Sequence, residues 1–142
     1  MRVVERVVTS ASPEIVWQVL ADVEHWSDWT PTVTQIVPEE NVGLMVGARY
    51  RVVQPGLRPA VYEVTDCSPD QRFTWEQKVL GGSMIADHRL RACNDGTEVE
   101  LAFSSKGLLA TIAGNLLLRK IWDYVRTEAK SLKNHCDALK CH

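Results

Sequence analysis

The sequence predicts an α+β domain built on an antiparallel sheet, and three observations predict it. A β-branched opening segment, Val3 to Thr9, runs into a stretch with helix-start chemistry. Between Thr32 and Ser104, six strand-like segments alternate with turn signals. From about Lys106 to Lys140 there is no proline, and helical spacing of apolar residues takes over.

The helix after the first strand is announced by Ser12 as N-cap, Pro13 at the first helical position and Glu14 at the positive end. Ile15, Val16, Val19, Leu20 and Val23 then recur at helical intervals. Pro31 excludes a regular helix through it and pushes Thr30 towards an extended conformation.

The six segments are TVTQIVPE, ARYRVVQ, AVYEVTDC, RFTWEQKV, SMIADHRLRAC and TEVELAFSS. EENVG, PGLRP, SPDQ, LGG and NDG separate them, and Asp95-Gly96 reads as a tight hairpin. Short connections make neighbouring strands antiparallel, and with the first strand the sheet has seven. Period two assigns faces. Ala48, Tyr50 and Val52 oppose Arg49 and Arg51; Ala60, Tyr62 and Val64 oppose Glu63 and Thr65. Phe73, Trp75 and Gln77 go together, as do Met84, Ala86, His88 and Leu90, and Val99, Leu101 and Phe103. The first two strands show no clear phase.

At about 1.5 Å per residue the C-terminal helix spans on the order of 50 Å. Leu109, Ile112, Leu116, Ile121, Val125, Leu132 and Leu139 approximate one face. Its first half, GLLATIAGNLLL, is apolar nearly all round and is expected to be covered on more than one side. The basic residues from Arg119 to Lys133, interleaved with Asp123 and Glu128, read as a solvated face, with docking to a membrane or an acyl carrier protein as the alternative.

The chain has 142 residues, 45% hydrophobic and 24% charged, in the range of one domain over 1–142. A net charge of -2 without a Lys/Arg cluster argues against nucleic-acid binding. The opening MRVVERVVTS alternates where a signal peptide would run apolar, and no apolar run approaches the roughly 18–20 residues of a membrane span, so a cytoplasmic protein that is not integral to a membrane is expected. Cys67, Cys93, Cys136 and Cys141 form no C-x-x-C motif and are expected reduced.

The pieces SPEIVWQVLADVEHWSDW, VGARYRV and ADHRLRACNDGTEVE resemble the START-like (SRPBCC) superfamily, and within it the bacterial polyketide cyclase/dehydrase and lipid-transport family. The resemblance implies a helix-grip fold: a curved seven-stranded antiparallel sheet wrapped around the long C-terminal helix, with two short helices after the first strand and a hydrophobic cavity between sheet and helix. These pieces are structural words of the fold and carry no catalytic signature.

Within that frame Trp26 and Trp29, three residues apart in DVEHWSDWTP, read either as core closing the sheet or as wall of a ligand pocket. His88 shares its phase with Met84, Ala86 and Leu90 and is expected on the concave side, as a core histidine, a ligand-orienting group or a proton-transfer group. Tyr50, Tyr62, Trp75 and Gln77 read either as structural core or as an aromatic, weakly polar ligand wall, to which Phe103 and the helix residues Leu109, Ile112 and Leu116 would add apolar surface. The tips at Leu57–Arg58 and Leu80–Gly82 read as plain turns or as cavity gates whose glycines lend mobility. The tail HCDALKCH reads as frayed and exposed, because helical spacing splays His135, Cys136, Cys141 and His142 too widely for a metal site.

The expected function is binding of a hydrophobic lipid, polyketide or aromatic compound, as carrier or sensor, by a monomer or homodimer. The alternatives are an aromatase/cyclase-dehydratase with His88 and Tyr62 as proton-transfer candidates and an acyl carrier protein as candidate partner, or an interaction module whose cavity its own side chains fill. No nucleotide loop, metal cluster or cofactor motif is present in the sequence.

Overall fold

The computed structural model describes residues 1–140. Strand β1 (Arg2–Thr9) leads into α1 (Pro13–Ala21) and the 3-10 helix α2 (Val23–Asp28). Strands β2 (Gln35–Pro38), β3 (Arg49–Val53), β4 (Ala60–Ser68), β5 (Arg72–Val79), β6 (Gly82–Cys93) and β7 (Gly96–Lys106) follow, then α3 (Leu108–Leu116) and α4 (Leu118–Lys140). All seven strands join one antiparallel sheet in the order β1-β7-β6-β5-β4-β3-β2. This is the helix-grip architecture.

Local chemistry explains the start of the helical pair. Ser12 Oγ accepts from the Ile15 amide at 3.4 Å and Pro13 opens α1, so two of the usual start devices are present. The phases of β3 to β7 follow period two, with Tyr50, Tyr62, Val64, Phe73, Trp75, His88, Leu90, Val99 and Leu101 buried on one side of the sheet. Arg49 and Arg51 are exposed, and Arg49 pairs with Glu40 at 2.7 Å. β1 faces inward with Val3, Glu5, Val7 and Thr9. Its phase is hidden in the sequence because Glu5 accepts from the Trp122 Nε1 at 2.7 Å instead of being apolar.

The β6–β7 turn lies at Asn94–Asp95, one residue earlier than the Asp95-Gly96 expectation, with Cys93 paired to Gly96. Gly96 has φ +133, and a Cβ there would sit 2.3 Å from the Thr9 carbonyl oxygen. The glycine therefore serves the close passage of the chain between β1 and α1.

The single C-terminal helix is divided. Leu117 leaves helical geometry (φ -104, ψ 9), its N–H shared between the Ala113 and Gly114 carbonyls. This break turns the small residues of α3 inward: Ala110 is 1% exposed and Gly114 packs on Met1. The expectation that this apolar segment is covered on several sides is corrected, because Leu108 (76% exposed), Leu116 (82%), Leu109 and Ile112 face outward. α4 lies across the concave face and buries Ala129, Leu132 and Cys136.

The C-terminal tail corrects a second expectation. Cys136 is fully buried, and the Asp137 carboxylate accepts from the Thr9 hydroxyl (2.6 Å), the Ser10 amide (2.9 Å) and Lys133 (2.6 Å). The helix end is thus pinned to β1 and its exit. Cys141 and His142 lie outside the described residues; His135 stacks on Trp29 at 6.4 Å. Among the described residues there is no group of three or more potential metal ligands, the cysteines are free, and no helix is long and apolar enough to cross a membrane.

Candidate ligand-binding cavity

A cavity of about 570 Å³ lies between the concave sheet and the two C-terminal helices. Its size falls inside the roughly 300–1,000 Å³ of small-molecule sites. β4 supplies Ala60 and Tyr62, β5 supplies Trp75 and Gln77, β6 supplies Met84, Ala86 and His88, and β7 supplies Leu101 and Phe103. Helix α2 contributes Trp26, α3 contributes Ala110 and Ala113, and α4 contributes Ile121, Val125 and Glu128.

Its mouth lies between two hairpin tips and the helices. Lys120 Nζ donates to the Gly56 carbonyl at 2.8 Å, and the Tyr124 hydroxyl donates to the Pro55 carbonyl, so α4 straps down the β3–β4 tip. The β5–β6 tip is packed as tightly. A Cβ on Gly81 would meet the Leu109 side chain at 2.7 Å and one on Gly82 the Lys106 carbonyl at 1.9 Å. The glycines of this tip permit close approach to the end of β7 and to α3, which is a packing role.

Several expected residues lie elsewhere. Trp29 sits in a shallow outer depression with Ile15, His25 and His135, because α2 ends at Asp28 and the ring is directed towards α4. Tyr50 is buried beside Trp75 (5.9 Å between centroids) and is off the cavity wall. Leu109, Ile112 and Leu116 are on the outward side of α3. The helical lining comes instead from the buried Ala110 and from Ala113 and Leu117, which border the cavity while remaining exposed.

Trp75 is the hub of the aromatic wall. Its ring is 5.3 Å from Tyr62, 5.5 Å from Trp26, 5.3 Å from Phe73 and 5.8 Å from His88. Trp26 is held in this wall by its Nε1, which donates to the Leu20 carbonyl at 2.9 Å. Tilted and edge-on rings at such spacings are favourable arrangements.

His88 is 3% exposed, with Nδ1 3.2 Å from the Phe73 carbonyl oxygen. A carbonyl only accepts, so Nδ1 carries the proton and Nε2 is left as acceptor. Burial lowers its pKa to about 4, against the opposing effect of that bond, so the ring is neutral at neutral pH. Burial raises the Tyr62 pKa further from neutrality, with the Glu128 charge adding to it, so its phenol stays protonated.

Glu128 is not on a solvated face. It is partly buried and lines the cavity. Its Oε2 accepts from the Thr32 hydroxyl at 3.4 Å, and Thr32 in turn lies 2.8 Å from the Thr30 hydroxyl. Burial pushes its pKa up to about 7, with the Thr32 bond opposing. The sequence carried a signal for it: Ile121, Val125, Glu128 and Leu132 are spaced as one helical face, a carboxylate in an apolar stripe.

The family model for polyketide cyclase/dehydrase and lipid transport matches residues 1–137. The chain belongs to this polyketide cyclase/dehydrase and lipid-transport family. Solved structures agree with it on the fold. A hypothetical protein (jhp0584) from Helicobacter pylori superposes with a TM-score of 0.80 at 16% identity, over 96% of this chain and 88% of that one. The Zhui aromatase/cyclase from Streptomyces sp. R1128 gives 0.76 at 17% identity, over 96% and 93%. The di-domain aromatase/cyclase StfQ of the steffimycin pathway gives 0.75 at 12% identity, over 99% of this chain and 52% of that one. A search of curated proteins gave no match. At these identities the neighbours speak for the helix-grip fold of the family alone.

Proposed function

We propose that this chain acts as one ligand-binding domain that holds a hydrophobic small molecule between sheet and α4, as carrier or sensor. The observation that carries the reading is the cavity of about 570 Å³ behind a largely apolar lining. Apolar burial at about 25 cal/mol per Å² supplies the affinity, and His88 Nε2, the Tyr62 hydroxyl, Gln77 and Glu128 are the polar groups available for orientation. The void also argues against an interaction module with a filled cavity: Trp75, Phe73 and Tyr62 pack against one another along one wall and leave space beside them.

For a cyclase, the two proton-transfer candidates are poorly matched to their task. His88, near pKa 4, is a weak base, and Tyr62 holds its proton; both suit hydrogen bonding better than shuttling. The test is native mass spectrometry on the purified protein, with extraction of any bound molecule, alongside Ala86→Trp, which fills the cavity from β6. A bound mass that Ala86→Trp excludes supports the reading. An apo mass with no uptake of apolar fluorescent probes overturns it.

A further inference from the structure

We propose that the cavity is built for a hydrophobic amine, with Glu128 as counter-charge and the Trp26, Tyr62 and Trp75 rings as the walls against which the cationic head rests. This deepens the ligand-binding reading above and rests on it. Among the described residues, the groups lining the cavity form no ion pair with Glu128. From β4 comes the neutral Tyr62 and from β6 the neutral His88, with Asp87 beside it in sequence, and Tyr124 lies one turn away on α4. Asp87 already accepts from the Thr74 hydroxyl at 2.6 Å. Arg58 is the one basic lining residue; it is exposed on the β3–β4 tip and forms no ion pair with Glu128 among the described residues.

A carboxylate in an apolar enclosure is costly unless it is paired or protonated. Burial has raised its pKa to about 7, so a bound ammonium would capture the ionised form that the empty cavity disfavours. Aromatic faces beside it add cation–π attraction, strongest for desolvated rings. A neutral ligand would use the aromatic walls but gain nothing from the ionised carboxylate.

The test uses three matched probes, 2-naphthylethylamine, 2-naphthylethanol and 2-naphthylacetate, titrated calorimetrically into the whole protein at about pH 8.5 and about pH 5.5. At the higher pH the amine should bind at least about tenfold tighter than the alcohol. That preference should vanish in Glu128→Gln and at the lower pH, where His88 is still neutral. Retained alcohol binding by Glu128→Gln shows that the variant is folded. If the alcohol binds as tightly as the amine, or the preference survives Glu128→Gln, the amine proposal falls and the cavity reading stands. If no probe binds wild type, both fall.

Around the cavity mouth, the segments 54–60, 77–86 and 104–122 contain Arg58, Lys78, Lys106, Arg119 and Lys120 and not one acidic residue, in a chain of net charge -2. Among them Leu80 (87% exposed), Leu108, Ile112 and Leu116 project into solvent. We infer that this end docks on an anionic lipid surface, the leucines entering the interface and the cations resting among the headgroups. A second copy of the chain is a poorer occupant, since a two-fold contact would set five cations against five.

Flotation with phosphatidylcholine vesicles, with and without about one-third phosphatidylglycerol, tests it. Binding should require the anionic lipid, weaken with salt, and fall more than about tenfold in Leu108→Glu/Leu116→Glu and in Lys106→Glu/Arg119→Glu. Failure to bind anionic vesicles overturns the inference. So does a dimer in sedimentation that Leu116→Glu dissociates, or binding that both double variants leave unchanged.

Discussion

His88 lies face to face on Phe73, with 4.1 Å between ring centroids and 12° between planes, and bonds to the carbonyl of the same residue. The two are direct partners across β5 and β6, so one strand neighbour provides both the stacking surface and the acceptor. Trp26 and Trp75 close the edges at 5.5 and 5.8 Å. Burial in this enclosure favours the neutral imidazole over the imidazolium.

Stability should therefore depend on pH through two opposed groups. The folded His88 pKa, about 4, is below its ordinary 6.5, so its contribution is complete above pH 6.5 and is lost as pH falls towards 4. The folded Glu128 pKa, about 7, is above its ordinary 4.5, so its contribution is complete below pH 4.5 and is lost as pH rises towards 7. At about 1.4 kcal/mol per pH unit each window is worth on the order of 3 kcal/mol, and the slopes offset where they overlap. Urea midpoints of wild type should be nearly flat between pH 4.5 and 6.5. Those of Glu128→Gln should climb with pH and those of His88→Leu should fall. A Glu128→Gln profile parallel to wild type would contradict this account of the carboxyl.

Trp29 differs from its neighbour in one respect that can be measured. Its Nε1 is buried without a hydrogen-bond partner among the described residues, while Trp26 bonds to Leu20. An unpaired buried donor costs about 1–3 kcal/mol. Trp29→Phe keeps an aromatic against Trp26 and removes that donor, so it should be neutral or stabilising by up to about 1 kcal/mol, with ligand binding unchanged. Trp26→Phe, which alters the cavity wall, should weaken binding and destabilise. A loss of several kcal/mol in Trp29→Phe by denaturant titration would contradict the assignment.

Asp137 joins α4 to the exit of β1 through Thr9, Ser10 and Lys133. These bonds hold its pKa well below the usual carboxylate range. Its contribution is therefore present above pH 3.8 and lost as pH falls further. Asp137→Ala should cost about 2 kcal/mol at neutral pH, the scale of hydrogen bonds to a charged group. Thermal melts check this, and Asp137→Asn should recover only part of the loss. An Asp137→Ala protein as stable as wild type would mean that other contacts hold the helix end.

The parts of this molecule that were legible before the structure share a cause. β3 to β7 bury one face, so a one-residue slip would expose every aromatic, and period two placed Tyr62, Trp75 and His88 together. α3 was illegible because Leu108 to Leu118 is apolar on every side, leaving hydropathy no face to choose. What chose was size: Ala110 and Gly114, the buried residues of α3, allow the close approach that leucines forbid. Glu128 was hidden by its neighbours, since Asp123, Arg126 and Lys130 make that stretch read as solvated, although its own spacing puts it with Val125 and Leu132. In the cysteine-histidine tail the anchoring residue is Asp137, a carboxylate whose partners Thr9 and Ser10 are too distant in sequence for spacing to reveal.

The β5–β6 tip gives the sharpest test of packing against mobility. Gly82 has φ +152, and an added Cβ would fall 1.9 Å from the Lys106 carbonyl oxygen and 2.9 Å from the Ala110 Cβ. The first obstacle is backbone, which no rotamer change can clear, and Lys106 pairs with Ser83 in the same ladder. Gly82→Ala must therefore push the start of β6 from the end of β7 and lift α3 off the cavity. A loss of about 2 kcal/mol or more is expected, with weaker retention of a cavity probe. Gly43 has nothing within 4 Å of its would-be Cβ, though its φ of +77 strains any substitution, so Gly43→Ala reports backbone strain alone. That control should cost about 1 kcal/mol and leave probe binding intact. If Gly82→Ala were no worse than Gly43→Ala, the tip would be a mobile gate after all, and its glycines would serve motion rather than contact.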